Sequence, residues 1–300
     1  MSAAVFAFAE ETAQAGRLAQ RCGVPVHPVT VRHFPDGESL VTAPAHGART
    51  ALLLRSLDDP NAKLVELLLA SAALRDGGVS HVILIAPYLA YMRQDMAFHP
   101  GEAVSQRVIG RLLAQWFDGV VTVDPHLHRI ERLDQAIPGI PALALSAAPA
   151  LIAALAEGLD PATVLIGPDS ESRPWVASIA APLGLDMLVG EKVRQGDRAV
   201  TLEIPGIERV AGRPALLVDD VISSGTTLIA CAQLLRAAGA SGIAAVATHA
   251  LASPADMARM ADAGITRIRA TDATTHPAAT IPLAGVLAEA IRAAGWLETP

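Results

Sequence analysis

Short unbroken apolar runs alternate with amphipathic stretches along nearly the whole chain. Ala51–Leu54, Val82–Ala86 and Val120–Val123 are runs of this kind, and their pattern predicts strands buried on both faces. Between them, Asn61–Arg75 and Glu102–Phe117 carry apolar residues at helical spacing. Asp59-Pro60 supplies a helix start and Gly77-Gly78 a stop, because proline suits the first helical turn and glycine the position just past the last. A second series follows. Runs at Val164–Ile166, Met187–Val189, Ala215–Val218, Ile243–Ala247 and Arg267–Ala270 alternate with helical patterns near Arg173–Pro182, Thr226–Ala238 and Pro254–Ala263. The alternation predicts an α/β fold of two similar domains, each a mainly parallel β-sheet flanked by helices. Pro138, Gly139, Pro141 and Pro149 interrupt the pattern and mark Ile137–Pro149 as a hinge. Domains are therefore expected at 1–143 and 144–283, with a C-terminal helical segment, 284–300, packing back on the first.

Composition narrows the class. Fifty-two per cent hydrophobic residues over 300 positions suffice for two cores of ordinary size. A net charge of −7 and the lack of any Lys/Arg block argue against a nucleic-acid surface. Only Cys22 and Cys231 occur, without metal-ligand spacing, and both are expected to be free thiols, Cys231 on a helix. The start, MSAAVFAFAEETAQ, has no basic leader and meets Glu10 and Glu11 early, so it reads as a first strand. No apolar run reaches the roughly 18 to 20 residues that a bilayer span needs. A cytoplasmic enzyme is expected, with no membrane partner.

The segment Ala215-Leu-Leu-Val-Asp-Asp-Val-Ile-Ser-Ser-Gly-Thr-Thr-Leu228 carries the most chemistry. An apolar strand delivers two adjacent carboxylates, then a loop of small residues, then a helix start. Ser223, Ser224, Gly225, Thr226 and Thr227 offer hydroxyls and approachable backbone N–H groups where the helix dipole favours an anion, which suits a terminal phosphate monoester. Asp219 and Asp220 are placed to accept hydrogen bonds from vicinal sugar hydroxyls, or to hold Mg²⁺ directly or through water. A plain buried strand and capped helix leaves two consecutive acids unexplained, because buried charges are costly without partners. The segment resembles the phosphoribosyl-pyrophosphate (PRPP) motif shared by type I phosphoribosyltransferases, which consume PRPP, and PRPP synthetases, which make it.

Further segments bear on that choice. Phe34-Pro-Asp-Gly-Glu38 sets an aromatic face beside two acceptors across a glycine turn, although Asp-Gly is also a common plain turn. Pro87-Tyr-Leu-Ala-Tyr-Met-Arg-Gln-Asp95 places Arg93 and Gln94 beyond a strand, at the end where open α/β sheets bind ligands, with an Arg93–Asp95 ion pair as the plain alternative. Val121-Thr-Val-Asp-Pro-His126 ends a third strand with a carboxylate and an imidazole, and His128 stands two residues on. In the second half, Gly167-Pro-Asp169 and Glu191-Lys-Val-Arg194 follow strands. Lys192 and Arg194, one residue apart in extended backbone, point to the same side, as a phosphoryl clamp requires and as a solvated basic turn also allows.

Together these segments resemble the ribose-phosphate pyrophosphokinase (PRPP synthetase) family over nearly the whole chain, and Gln195-Gly-Asp197 is similar to its archaeal-type members. The resemblance implies two phosphoribosyltransferase-like domains and transfer of the diphosphoryl group of Mg-ATP to ribose 5-phosphate. It assigns catalysis to Lys192 and Arg194, and ATP binding to Phe34, Asp36, Glu38, Arg93, Gln94 and His126. Mg²⁺ falls to His126 and Asp169, and ribose 5-phosphate to Asp219, Asp220 and Ser223 to Thr227. It also implies a homo-oligomer, at least a dimer, in which the 34–38 turn receives adenine from a neighbouring subunit. The PRPP loop alone also fits a phosphoribosyltransferase, and two departures from the family pattern leave open an enzyme with a shifted sugar-phosphate or nucleotide preference or an inactive regulatory homologue. Ser170-Glu171-Ser172 replaces a glycine-rich stretch, which adds a Cβ and a carboxylate. Met96-Ala-Phe-His-Pro100 stands where more basic residues are expected.

Overall fold

A computed structural model describes residues 3–127, 129–195 and 199–297, the side chains of 192–201 excepted. The chain forms two compact units, one of residues 1–146 with 273–275 and 282 onward, the other of 147–272 with 276–281. In the first unit the order is β1 (Ala3–Ala7), α1 (Thr12–Cys22), β2 (Val26–Pro28), β3 (Thr30–His33), β4 (Ser39–Thr42), β5 (Thr50–Leu54), α2 (Pro60–Asp76), β6 (His81–Ile85), α3 (Ser105–Trp116), β7 (Gly119–Val123) and β8 (Ala142–Leu145). Six of these strands make a sheet in the order β2-β1-β5-β6-β7-β8, each pair parallel. β1, β5 and β7 are buried at every position, which is why they read as continuous apolar runs rather than as alternating ones. β3 and β4 form a separate antiparallel hairpin.

The second unit repeats the plan. It contains α4 (Ala148–Ala156), β9 (Val164–Gly167), α5 (Arg173–Leu183), β10 (Asp186–Val189), β11 (Glu191–Gln195), β12 (Ala199–Glu203), β13 (Pro214–Ile222), α6 (Thr226–Ala237), β14 (Gly242–Ala250), α7 (Pro254–Asp262), β15 (Ile265–Thr271) and β16 (Ala279–Ile281). Its sheet runs β10-β9-β13-β14-β15-β16, again all parallel, and β11–β12 is again a separate antiparallel hairpin. The final helix, α8 (Ala284–Ala293), lies in the first unit and packs on α1. In both units the hairpin leaves the chain between the second strand and the third. In both, strand order reverses between the first strand and the third, so switch points lie between β1 and β5 and between β9 and β13.

The proline-rich stretch Ile137–Pro149 contains both β8, an edge strand beside β7, and the division between the units after Ser146, and Pro149 sits in the first turn of α4, where proline needs no N–H partner. Two sequence expectations change. β13 continues through both acids to Ile222, held by pairing with β14. Glu102 lies outside α3, because the chain turns at Gly101 (φ 91°) and the helix begins only at Ser105.

At the first switch point three large side chains are buried: Phe8, Glu11 and Arg55. The Arg55 guanidinium stacks 3.7 Å from the Phe8 ring centroid, and Glu11 Oε1 accepts from the Ser56 N–H at 3.3 Å. Burial pushes the Glu11 carboxyl up to about 7, outweighing the attraction of Arg55 and Lys63. The folded state therefore binds this proton more tightly than the unfolded chain does. Its contribution to stability is full below the ordinary value of 4.5 and is lost as pH rises toward 7. Glu11→Gln cannot ionise, so its melting temperature should gain on that of the parent between about pH 5 and pH 8. The difference should approach roughly 3 kcal/mol, at about 1.4 kcal/mol per unit. Parallel thermal melts check this, and a pH-independent difference would show that burial does not set the titration.

Candidate active site

The second switch point gathers the acids. Asp169 follows β9, while Asp219 and Asp220 lie in the last part of β13, the neighbouring strand. The Asp220 N–H donates to Asp219 Oδ1 at 3.0 Å. Burial drives the Asp219 carboxyl well above the carboxylate range, and the charges of Asp220 and Asp169 push it further. Cys231, fully buried on α6, responds to the same cluster: burial first, then Asp219 and Asp169, push its thiol up to about 12. It is a free thiol, as is the half-buried Cys22. The site thus concentrates negative charge and is electrostatically matched to a cation.

Beyond Ile222 the chain turns through Ser223 and Ser224 to Gly225, whose φ of 70° places it at the N-cap of α6. No side chain caps this helix, so its first-turn N–H groups remain available to an anion. The Ser224 and Thr226 hydroxyls lie 3.1 Å apart on the same turn. Arg259 of α7 donates to the Ser224 carbonyl at 3.0 Å and pairs with Asp256 at 2.5 Å, which fixes the loop from outside.

The Ser170-Glu171-Ser172 departure forms a 3-10 turn leading into α5. Asp169 caps it by accepting from the Ser172 N–H at 3.4 Å, while Ser172 Oγ donates to the Asp169 carbonyl at 2.6 Å. None of the three has a positive φ, so this turn needs no glycine. Glu171 is exposed. Lys192 and Arg194 stand at alternate positions of β11, opposite Leu202 and Val200 of β12. Their side chains, and residues 196 and 197 of the Gln195-Gly-Asp197 run, lie outside the described residues.

In the first unit, Phe34, Asp36 and Glu38 occupy the turn between β3 and β4. Phe34 N–H donates to the Glu38 carbonyl at 2.8 Å, Gly37 N–H to the Phe34 carbonyl at 2.9 Å, and Glu38 N–H to Asp36 Oδ1 at 3.3 Å. Phe34 is exposed, with the Arg32 guanidinium 5.0 Å from its ring centroid. Arg93 is exposed, and Gln94 Nε2 donates to Glu102 Oε2 at 3.5 Å. Asp95 pairs not with Arg93 but with Arg129, at 2.6 Å, and Arg129 also lies over the Phe98 ring. Glu102 clamps this loop by accepting from the Phe98 N–H at 2.8 Å and meeting His99 Nδ1 at 2.7 Å, which holds its carboxyl below the usual range. Tyr91 (φ 65°) and Asp124 (φ 38°) both occupy left-handed backbone, beside Arg93 and His126 respectively. Such strain persists only where surrounding structure enforces it, and it clusters at functional sites. His126 is half-buried; His128 lies outside the described residues.

Residues 3–116 match the model for the N-terminal domain of ribose phosphate pyrophosphokinase, and residues 142–280 that for the phosphoribosyl transferase domain. Ribose-phosphate pyrophosphokinase of Methanopyrus kandleri is 35% identical over 290 residues, covering 96% of this chain and 98% of that protein. The chain belongs to the ribose-phosphate pyrophosphokinase family. Its relative in Halobacterium salinarum is 34% identical over 281 residues, covering 92% of this chain and 96% of that one. The crystal structure of phosphoribosylpyrophosphate synthetase from Mycobacterium smegmatis superposes with a TM-score of 0.82 at 26% identity, over 98% of this chain and 99% of that one.

Sequence reading of this family member missed Arg129 and Arg259, which approach Asp95 and Ser224 only through folding. It also missed the role of Glu102, which helical spacing had assigned to α3. Among the described residues no group of three or more His, Cys, Asp or Glu side chains lies close enough to cage a metal unaided. No helix among them is long and apolar enough to cross a membrane.

A Cβ at Gly225 would meet Met260 Sδ at 2.5 Å, in addition to the left-handed φ. Gly225→Ala should therefore lose about 2 kcal/mol of stability, roughly half from backbone and half from overpacking. It should also lose any rise in melting temperature on adding inorganic phosphate. Denaturant and thermal melts read both effects, and parental values for each would show that the loop does not need this glycine.

Proposed function

We infer that this protein is a ribose-phosphate diphosphokinase, which transfers the β,γ-diphosphoryl group of ATP to the C1 hydroxyl of ribose 5-phosphate to give PRPP and AMP. The observation that carries this reading is similarity to ribose-phosphate pyrophosphokinases over almost the full length of both chains. A phosphoribosyltransferase accounts for the second unit alone and leaves the Phe34, Arg93 and His126 segments without a purpose.

In this reading, Ser223 to Thr227 and the first-turn N–H groups of α6 take the 5-phosphate, and Asp219 and Asp220 accept from the ribose hydroxyls. Phe34 stacks on adenine while Asp36 and Glu38 accept from its edge, in a homo-oligomer where the turn serves a neighbouring subunit. Arg93 and Gln94 contact ATP. The C1 oxygen bonds to the β-phosphorus as the bond from that phosphorus to the AMP oxygen breaks. Lys192 and Arg194 neutralise the charge that develops, because such transition states need positioning and electrostatic stabilisation more than covalent help.

The acidic cluster fits Mg²⁺, which binds through one or two carboxylates and otherwise keeps water or substrate phosphates. In the second unit Asp169 is the proposed protein ligand, and His126 of the first unit is proposed separately as a metal-binding and ATP-binding residue. When bound, Mg²⁺ supplies Lewis-acid neutralisation of phosphate oxygens.

AMP and PRPP should form in equal amounts from ribose 5-phosphate and ATP, and chelation with EDTA should abolish both. Lys192→Ala should lower kcat by about a hundredfold or more, the order expected for removing one transition-state contact. Coupled detection of both products tests this. Absence of product from folded protein that still binds ATP would overturn the assignment in favour of a regulatory homologue.

A further inference from the structure

The turn that carries Phe34, Asp36 and Glu38 is closed at its base by one cross-strand pair, His33 opposite Ser39. Both side chains meet the same atom. His33 Nε2 lies 3.0 Å from Glu66 Oε1, and Ser39 Oγ donates to it at 3.3 Å. A carboxylate oxygen only accepts, so the ring nitrogen facing it carries the hydrogen. Glu66 projects from α2 and its side chain is only 4% exposed, whereas that of His33 is 59% exposed. The second oxygen of Glu66 accepts from Arg55 Nη2 at 2.5 Å, and the Arg55 side chain is likewise 4% exposed. The Phe8 ring fixes the guanidinium plane in turn, at the end of β1.

A buried ion pair is weak evidence for a stability role, because desolvation largely offsets the attraction. Its geometry here serves something more specific. The β3–β4 hairpin is not part of the main sheet, so no ladder hydrogen bonds tie it to β1 or β5. Its apolar contacts, through Val31 and Val41, resist separation from the core but are non-directional. Glu66 Oε1 is directional and grips both residues that flank the turn.

We propose that Glu66, oriented by Arg55, is a positioning residue that sets the 34–38 turn for its nucleotide. The inference rests on the assignment of that turn to adenine. Glu66 touches no substrate; it holds the two strand ends from which Phe34 and Glu38 project. Arg55 stands at the first unit's switch point, so side chains filling that position are used to aim a neighbouring hairpin.

The test is steady-state kinetics with ATP and ribose 5-phosphate varied separately. The double variant His33→Ala/Ser39→Ala removes both donors at the partly exposed end and leaves the Arg55–Glu66 pair intact, which avoids a stranded buried charge. KM for ATP should rise about tenfold, the size expected for losing hydrogen bonds to a charged acceptor. KM for ribose 5-phosphate and kcat should change by less than about twofold, as for an interaction confined to nucleotide binding. His33→Gln/Ser39→Thr keeps both donors and should recover most of the loss. Glu66→Gln should reproduce the double variant's pattern where it folds. Phe34→Ala is run alongside. If it raises KM for ATP while the double variant does not, or if the double variant moves both KM values together, the positioning role is overturned. If Phe34→Ala leaves KM for ATP unchanged, the adenine assignment itself fails and takes this inference with it.

Discussion

Parallel strand pairing is the constraint on which the rest depends. It places the C-terminal ends of all six strands of a sheet on one edge, and the reversal of order between the first strand and the third parts the loops there. Asp169 and the Asp219–Asp220 pair, remote in sequence, become neighbours because β9 and β13 pair in register from Val164 opposite Ala215. Burial there, and after it the charges of the neighbouring acids, raise the Asp219 carboxyl and the Cys231 thiol.

The two units use one frame for different ends. Both have the same strand order and the same hairpin excursion before the third strand. In the second unit the hairpin carries Lys192 and Arg194, and the switch point is lined by acids and followed by a loop of hydroxyls. In the first the hairpin carries Phe34, Asp36 and Glu38, and the switch point is filled by Phe8, Glu11 and Arg55. A large aromatic side chain and a stacked guanidinium leave the backbone plan unchanged while altering what the crevice holds.

Departures from the family pattern are accommodated locally. Ser172 bonds back to Asp169 and closes a 3-10 turn without left-handed backbone, so the glycines are dispensable to the fold of this segment. In the loop after β6, Arg129 neutralises Asp95 and covers Phe98, which leaves Arg93 exposed rather than tied to Asp95.

The α/β class, the main buried strands and the segments that carry chemistry are legible in the order of residues alone. Fully buried parallel strands must be apolar throughout, and phosphate loops need small residues in a fixed order, so both signals are local. The short edge strands, such as β2 and β16, and the β3–β4 hairpin are half-exposed, and their composition carries no comparable period. That β13 extends through its acids follows from its long-range pairing with β14, which outweighs the local signal for a strand end. Tertiary structure alone brought Arg259 to Ser224, Arg129 to Asp95, and Glu66 to both His33 and Ser39. A side-chain hydrogen bond depends on two backbones meeting in space, and no spacing along one segment encodes that meeting.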